Sequence, residues 1–135
     1  MRNSKTGKPI DELRGELFRE DPELERSWRD NASRRELSMA LVAMRKAEGL
    51  TQRRLADRLG WKQPQVARLE SATGPWPHAD SLRAYASACG RSVGLVFAHV
   101  EGAGHVHIDG AIAFGQTEDD KRVAALKDAD IEVAD

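Results

Sequence analysis

The sequence predicts a mainly α protein with a helical N-terminal extension, a compact helical bundle and a short C-terminal β-hairpin. Apolar residues recur at helical spacing over most of the chain up to residue 92, and glycines follow several of these stretches. Beyond that point the apolar period changes from about 3.6 to about 2, the spacing typical of strands. The chain has 135 residues, enough for one domain to bury a core without metals or disulfides.

The N-terminal extension, residues 1–32, is predicted to contain two helices. Apolar residues at helical spacing indicate a short amphipathic helix over about residues 10–20. Asp21 is a good N-cap and Pro22 suits a first helical turn, so a second helix begins there. The apolar residues on which this prediction rests are Ile10, Leu13, Leu17, Leu24 and Trp28.

The third helix can begin in either of two ways. Residues 33–36, Ser-Arg-Arg-Glu, fit a capping box, which would start a new helix at this point. One long helix from Pro22 to Glu48 fits the sequence equally well. In both cases Gly49 provides the C-terminal stop. The predicted buried face consists of Leu37, Ala40, Leu41 and Met44.

Two short helices follow, separated by a glycine. Thr51 is an N-cap candidate for a helix that ends near Leu59, and Gly60 can adopt the positive φ that a sharp turn requires. The next helix begins near Gln63, with Pro64 in its first turn. The sequence therefore predicts a break in the chain at Gly60, followed by an immediate restart.

The last third of the chain changes from helix to strand. A final bundle helix is predicted from about residue 79 to residue 88, with Cys89 as a small buried hydrophobe. Residues 93–115 then alternate like a β-hairpin, which is also a possible dimerisation element. Residues 116–135 are acidic and weakly apolar, so we expect a flexible tail or a loosely held helix. The alternating residues are Val93, Leu95, Phe97, Val106 and Ile108.

Charge is distributed unevenly along the chain, although the formal net charge is only -1. Residues 33–92 carry 11 basic and 5 acidic side chains, whereas residues 93–135 carry 3 basic and 9 acidic ones. The middle segment is therefore expected to face a polyanion. No catalytic motif stands out, so we expect neither an enzyme nor a cofactor. A single cysteine, no apolar run of about 20 residues and no apolar signal region predict a cytoplasmic protein without a membrane.

The two short helices have the pattern of a helix-turn-helix. Ala56 is small where the helices would cross, while Val66 and Leu69 are placed to pack under Leu55 and Leu59. The opposite face of the second helix is polar and suits the major groove of DNA, because such side chains can pair with base edges. Base contacts are predicted for Gln63, Pro64, Ala67 and Arg68. Phosphate contacts are predicted for Gln52, Arg53, Lys62 and Ser71.

The stretch "LTQRRLADRLGWKQPQVARLES" followed by "PHADSLRAYASACG" resembles the Xre, or phage-repressor-like, helix-turn-helix family. The resemblance covers residues 33–92 and implies a lambda-repressor-like bundle. It implies that Gln52 clamps a phosphate and that Gln63, with the other three base-contacting residues, reads DNA. Two positions depart from the family pattern: Lys62 replaces the usual Ser or Thr N-cap, and Pro64 replaces a hydrogen-bonding side chain.

The wider layout resembles HigA-type antitoxins. The extension containing DPELERSWRD, the Xre-like region and the strand-forming segment follow each other in the same order. This resemblance implies a homodimer that represses its own operon at a palindromic operator of double-stranded DNA. It also implies a small ribonuclease toxin as partner. The candidate surface for that toxin is the extension, with Leu13, Leu17, Leu24 and Trp28. A stand-alone Xre-type regulator without a toxin is the alternative.

Two further features have competing interpretations. Trp61 could pack over the turn or lean on the DNA backbone, and packing is favoured because aromatic residues dominate small cores. His105 and His107 would share one face of a strand, with His99 near them, which raises a metal-dependent regulator as a third function. A metal site needs further ligands and a second shell, so a half-exposed polar face is the preferred interpretation and no metal ligand is assigned.

Overall fold

The computed structural model describes residues 9–134, which form seven helices and one small antiparallel sheet. Residues 1–8 and 135, which belong to the predicted extension and tail, lie outside the described residues, as does most of the segment judged for a signal region. Among the described residues, no helix is long and apolar enough to cross a membrane. The helices are α1 (Ile10–Glu20), α2 (Pro22–Asp30), α3 (Ala32–Ala47), α4 (Gln52–Leu59), α5 (Gln63–Leu69), α6 (Ala79–Ala88) and α7 (Glu118–Ala124). The strands are β1 (Gly94–Val100), β2 (His105–Ala113) and β3 (Asp130–Glu132). The predicted mainly α fold class is confirmed.

The core lies between α3, α4, α5 and α6. Tyr85 and Cys89 contribute from α6 and its C-cap, and both are fully buried, as predicted for Cys89. Leu41 of α3 is buried while Ala40, predicted on the same face, is exposed. Burying such apolar side chains is the main source of stability for a small bundle. The buried cluster consists of Leu41, Leu50, Leu55, Ala56, Val66, Leu69, Tyr85 and Cys89.

The start of α3 differs from both sequence-based alternatives. The chain breaks at Asn31, which is the N-cap residue of α3 without a side-chain cap, so neither one long helix nor a capping box at residues 33–36 forms. Arg34, the second residue of that predicted box, is buried and faces inward. Its guanidinium donates to the carbonyl oxygens of Arg68 and Leu69, at 3.1 and 3.0 Å. The helix therefore begins early enough to place Arg34 against the end of α5.

The N-terminal extension forms two helices that contain no buried residue. It is attached mainly through Trp28 of α2, whose indole lies between two cations. The guanidinium carbons of Arg14 and Arg35 lie 4.7 and 3.5 Å from the ring centroid. Arg35 also donates to the backbone oxygen of Trp28 at 2.6 Å. Cation–π contacts of this kind stabilise by about 0.5 to 1 kcal/mol at exposed sites, so the extension is held by surface contacts and not by a core.

The C-terminal segment is more ordered than the sequence predicted. The predicted hairpin is present as β1 and β2, but residues 130–132 add a third strand, paired to β2. In addition, α7 begins with a capping box in which Thr117 and Asp120 bond each other's backbone N–H groups, at 2.8 and 3.1 Å. The acidic composition predicts a flexible tail or a loosely held helix, and residues 118–124 are helical. Capping at Thr117 and pairing with β2 supply backbone partners that hydrophobicity alone does not reveal.

The sheet has two different faces because a bulge interrupts β2. The pairing register shifts between Phe97 and Ala98. Leu95 and Phe97 lie on one face of β1 and are exposed, whereas Ile108 of β2 is buried on the other face. The strand order β1-β2-β3 leaves β1 at an edge. The sheet therefore presents an edge strand with exposed apolar side chains.

Candidate nucleic-acid interface

The turn between α4 and α5 has the geometry of a helix-turn-helix. Thr51 caps α4 by accepting a hydrogen bond from the backbone N–H of Arg54 at 3.1 Å. Gly60 ends α4 with a φ of 70°, in the left-handed region that favours glycine. Leu55 and Val66 are fully buried where the two helices meet. The predicted break at Gly60 and the predicted inward residues of both helices are confirmed.

The outward face of α5 carries the four residues predicted to read bases. Gln63, Pro64 and Arg68 are exposed, and Ala67 is half-buried. Arg68 donates a long hydrogen bond of 3.4 Å, from Nε to the carbonyl oxygen of Pro64, and the residue is exposed to solvent. The outward face of this seven-residue helix thus combines the polar Gln63 and Arg68 with the small Pro64 and Ala67. Side chains of these kinds can contact base edges in a major groove.

Gln63 is tied to the interior of the protein through Gln52. The side-chain Nε2 of Gln63 donates to Oε1 of Gln52 at 2.7 Å, and Nε2 of Gln52 donates to Oε1 of Glu70 at 3.1 Å. Glu70 is buried. Because an ionised carboxylate only accepts hydrogen bonds, it fixes which way the Gln52 amide points, and that in turn orients the amide of Gln63.

The series of hydrogen bonds from Gln63 through Gln52 ends at Glu70, which forms a buried ion pair. The spacing of residues in the sequence did not reveal this ion pair. Arg45 of α3 donates to both carboxylate oxygens, at 2.8 and 2.9 Å, and the Tyr85 hydroxyl donates to Oε2 at 2.8 Å. Burial opposes ionisation, but hydrogen bonds from Arg45, Gln52 and Tyr85 outweigh it and lower the pKa of Glu70. Burial and the neighbouring carboxylate raise the pKa of Tyr85, so it stays a donor. The partners lie far apart in the sequence, and only the fold brings them together.

The four residues predicted to contact phosphates are placed differently from one another. Arg53 and Lys62 are exposed at the starts of α4 and α5. Gln52 is half-buried and uses its amide inside the protein. Ser71 is half-buried and bonds Thr73 through its hydroxyl, so it shapes the loop after α5.

The N-terminus of α5 is closed by an unusual cap. Lys62 occupies the N-cap position, where its ammonium cannot accept a hydrogen bond. Gln65 makes the one reciprocal contact available, since its Oε1 accepts from the backbone N–H of Lys62 at 2.8 Å. Gln65 thus supplies half of a capping box, which partly compensates for the absence of the usual Ser or Thr at the N-cap position.

Trp61 packs against the core, as the favoured interpretation predicted. It also borders a cavity of about 620 Å³ between α5 and the loop of residues 71–78. Arg34 lies on the same cavity, and burial lowers the pKa of its guanidinium. The cavity is therefore built from the flank of α5, and it shares Arg68 with the face predicted to read bases.

Residues 36–96 match the family described as a helix-turn-helix domain. The chain contains a helix-turn-helix domain. The match supports the Xre-like resemblance and indicates a DNA-binding regulator of transcription. No curated protein and no solved structure matches the chain.

The three histidines of the sheet are paired with carboxylates. His99 and His107 face each other across β1 and β2, with ring centroids 5.4 Å apart. His107 bonds Asp130 at 2.8 Å, and His105 bonds Glu132 at 2.6 Å. These hydrogen bonds raise the pKa of His105 and His107, and hydrogen bonds to Asp109 and Glu101 raise that of His99. The contacts of His105 and His107 join β3 to β2. Among residues 9–134, no group of three or more ligand-type residues is arranged to hold a metal ion.

Proposed function

We propose that the protein is a sequence-specific transcriptional repressor that reads DNA through α5. The single observation that supports this function best is the arrangement around Gln63. An exposed amide on the groove-facing side of α5 is held by Gln52, which is held by the buried Glu70. A surface side chain without a binding role needs no such support, whereas base reading needs a fixed donor and acceptor.

The charges around α5 support a DNA ligand as well. Arg53, Arg54, Arg58 and Lys62 are all exposed on α4 or the turn, and Arg68 is exposed on α5. Cations in this position would neutralise phosphates and fix the register, while Gln63 and Arg68 supply sequence preference.

The proposed repressor acts as a homodimer on a palindromic operator. Two copies of α5 would enter successive major grooves about 34 Å apart. The strand β1 supports this assembly because it is an edge strand with exposed Leu95, Val96 and Phe97. Residues 93 and 101 form backbone hydrogen bonds with residues 114 and 105, so their backbone groups point toward β2. Because this direction alternates along a strand, the N–H and C=O groups of residues 94, 96, 98 and 100 point away from β2. A second copy can pair with that edge.

Fluorescence anisotropy with the DNA upstream of the gene tests the repressor directly. The protein should bind this fragment at least about 1,000-fold more tightly than a random duplex at physiological salt. Footprinting should then show two protected half-sites related by symmetry. Equal affinity for both duplexes would contradict a sequence-specific repressor.

A role as an antitoxin is the second candidate, and the extension favours it. Leu17, Leu24 and Trp28 of α1 and α2 are all more than a third exposed, at 53%, 42% and 38%. Leu13, also assigned to the toxin-binding surface, is partly covered. Residues 10–30 carry 8 acidic and 4 basic side chains, which suits a basic partner such as an RNA-binding ribonuclease.

Growth measurements test the antitoxin role. The small open reading frame beside this gene is expressed alone and then together with this protein. Growth arrest that the protein relieves supports an antitoxin, and relief should weaken when Leu17 and Leu24 are changed to Asp. Absence of arrest, under confirmed expression, leaves the stand-alone regulator.

A further inference from the structure

The cavity beside α5 has the composition of a ligand site. It lies between the flank of α5 and the loop of residues 71–78, and Trp61 and Trp76 both line it. Its volume of about 620 Å³ falls within the usual range for small-molecule pockets. Trp76 is 59% exposed although it is a large aromatic residue. An exposed indole facing a concave, mostly apolar surface is poorly explained by packing alone.

The charge around the cavity is positive. Arg34 and Arg68 line it together with His78, and none of the described lining residues is acidic. Arg34 is only 3% exposed, yet its hydrogen-bond partners are the neutral carbonyl oxygens of Pro75, Arg68 and Leu69. Its Nη1 atom is buried without a hydrogen-bond partner among the described residues. A buried cation without a carboxylate favours an anion nearby.

We propose that this cavity binds a small aromatic carboxylate, with its ring against Trp76 and Trp61 and its negative charge on the side of Arg34 and Arg68. The ring requirement follows from the two indoles, and the charge requirement follows from the two guanidinium groups. The sugar-phosphate backbone of DNA would satisfy the charge but not fill the apolar part of the cavity between the indoles. A flat organic anion satisfies both.

Binding at this site would reach DNA recognition directly. Arg68 and Gln65 belong both to the cavity lining and to α5. An anion near Arg68 would compete with DNA for that side chain, and a ligand beside Gln65 would act on the cap of α5. The ligand is therefore an inducer that weakens operator binding. This regulatory consequence rests on the proposed DNA-binding function, whereas the site itself does not.

Calorimetry on the free, full-length protein tests the site. The probes are the aromatic carboxylates indole-3-acetate, 1-naphthoate and benzoate. Two matched controls accompany them: indole-3-acetamide, which has the ring without the negative charge, and acetate, which has the charge without a ring. At least one aromatic carboxylate should bind with a Kd at or below about 1 mM and a stoichiometry of one, and both matched controls should bind more weakly. Lack of saturable binding by all three aromatic carboxylates overturns the inference, as does equal binding of the acetamide.

Two variants locate the binding. Trp76→Ala should weaken the best probe by about three- to tenfold, because it removes one aromatic face. Met39→Ala removes another exposed large side chain, on α3 outside the cavity, and should leave the affinity unchanged. Since Trp76 is exposed, its loss leaves the fold intact, which circular dichroism checks. Equal affinities for wild type and Trp76→Ala would place the probe elsewhere and overturn the site.

A DNA titration with and without the probe separates this inference from the proposed function. Probe binding together with reduced operator affinity supports the inducer. Probe binding with unchanged operator affinity overturns the regulatory step. Probe binding without any DNA binding supports the ligand site and contradicts the proposed repressor function. In a further outcome, DNA reduces the quenching of Trp76 fluorescence by iodide and no aromatic carboxylate binds. That result would overturn the inference and indicate that the cavity contacts the DNA backbone.

Discussion

The amide of Gln63 donates a hydrogen bond of 2.7 Å to the amide of Gln52, eleven residues earlier in the chain. The contact joins the first residue of α5 to the first residue of α4. Because Gln52 also donates to the buried Glu70, the outermost side chain of the proposed reading face is continuous with the core. One N–H of Gln63 is used in this contact. Its Oε1 and its second N–H remain to pair with an adenine edge.

Gln52→Leu should relax the sequence preference of the protein without unfolding it. The leucine removes the support for Gln63, so operator affinity should fall by about three- to tenfold, the worth of one hydrogen bond of about 1 kcal/mol. Binding to a random duplex should change little. Arg53→Ala is the matched control, because it removes a phosphate contact and should weaken both duplexes alike. The same loss on both duplexes for Gln52→Leu would argue against a positioning role.

Glu70→Gln should destabilise the protein in a pH-dependent way. At pH 7 the change should lower the free energy of unfolding by about 3 kcal/mol, because it leaves Arg45 buried without its counter-ion. The pKa of Glu70 is lowered in the folded state, so its stabilisation is complete above the unfolded-state pKa and is lost as pH falls through the folded-state value. The difference between variant and wild type should therefore shrink below about pH 4.

Urea unfolding at a series of pH values measures this difference. Glu36→Gln, at an exposed position of α3, is the control and should match wild type throughout. A gap between Glu70→Gln and wild type that stays constant down to pH 2 would show that ionisation of Glu70 does not supply the stability.

Charge on the edge strand β1 should convert the proposed dimer to a monomer. Val96→Asp and Leu95→Asp each place a carboxylate on the edge, where it would approach its own copy across the two-fold axis. Light scattering after size-exclusion chromatography should show half the wild-type mass. Met39→Asp, at an exposed position of α3, should leave the mass unchanged. An unchanged mass for both β1 variants would exclude this edge as the interface.

The sequence predicted the bundle better than the segments around it. The residues 52–59 and 63–69 carry a cap, a glycine and a clear apolar spacing, all of which are local signals, and these helices form as predicted. The third strand was missed because residues 130–132 are stabilised by pairing with β2, about 25 residues away in the chain. Strand pairing of this kind depends on partners that local periodicity does not show.

The same limit applies to the interface. The face of α5 follows from helical spacing, so Gln63 and Arg68 could be placed outward from the sequence alone. The sequence alone could not show the hydrogen bonds among Arg45, Glu70 and Tyr85 that hold this face in place, because the three residues come from α3, the end of α5 and α6. The hydrogen bond of Ser71 to Thr73 within its own loop is a further contact that the sequence did not show, and its predicted phosphate contact stays a prediction.

The most direct test of the account compares Arg68→Ala with Lys62→Ala on the upstream DNA and on a random duplex at several salt concentrations. Arg68→Ala should lose about 1 to 3 kcal/mol on the specific DNA and relax the base preference, because Arg68 is proposed to read a base edge. Lys62→Ala should weaken both duplexes equally and reduce the salt slope by about 1. An equal loss on both duplexes for Arg68→Ala would contradict sequence reading by α5.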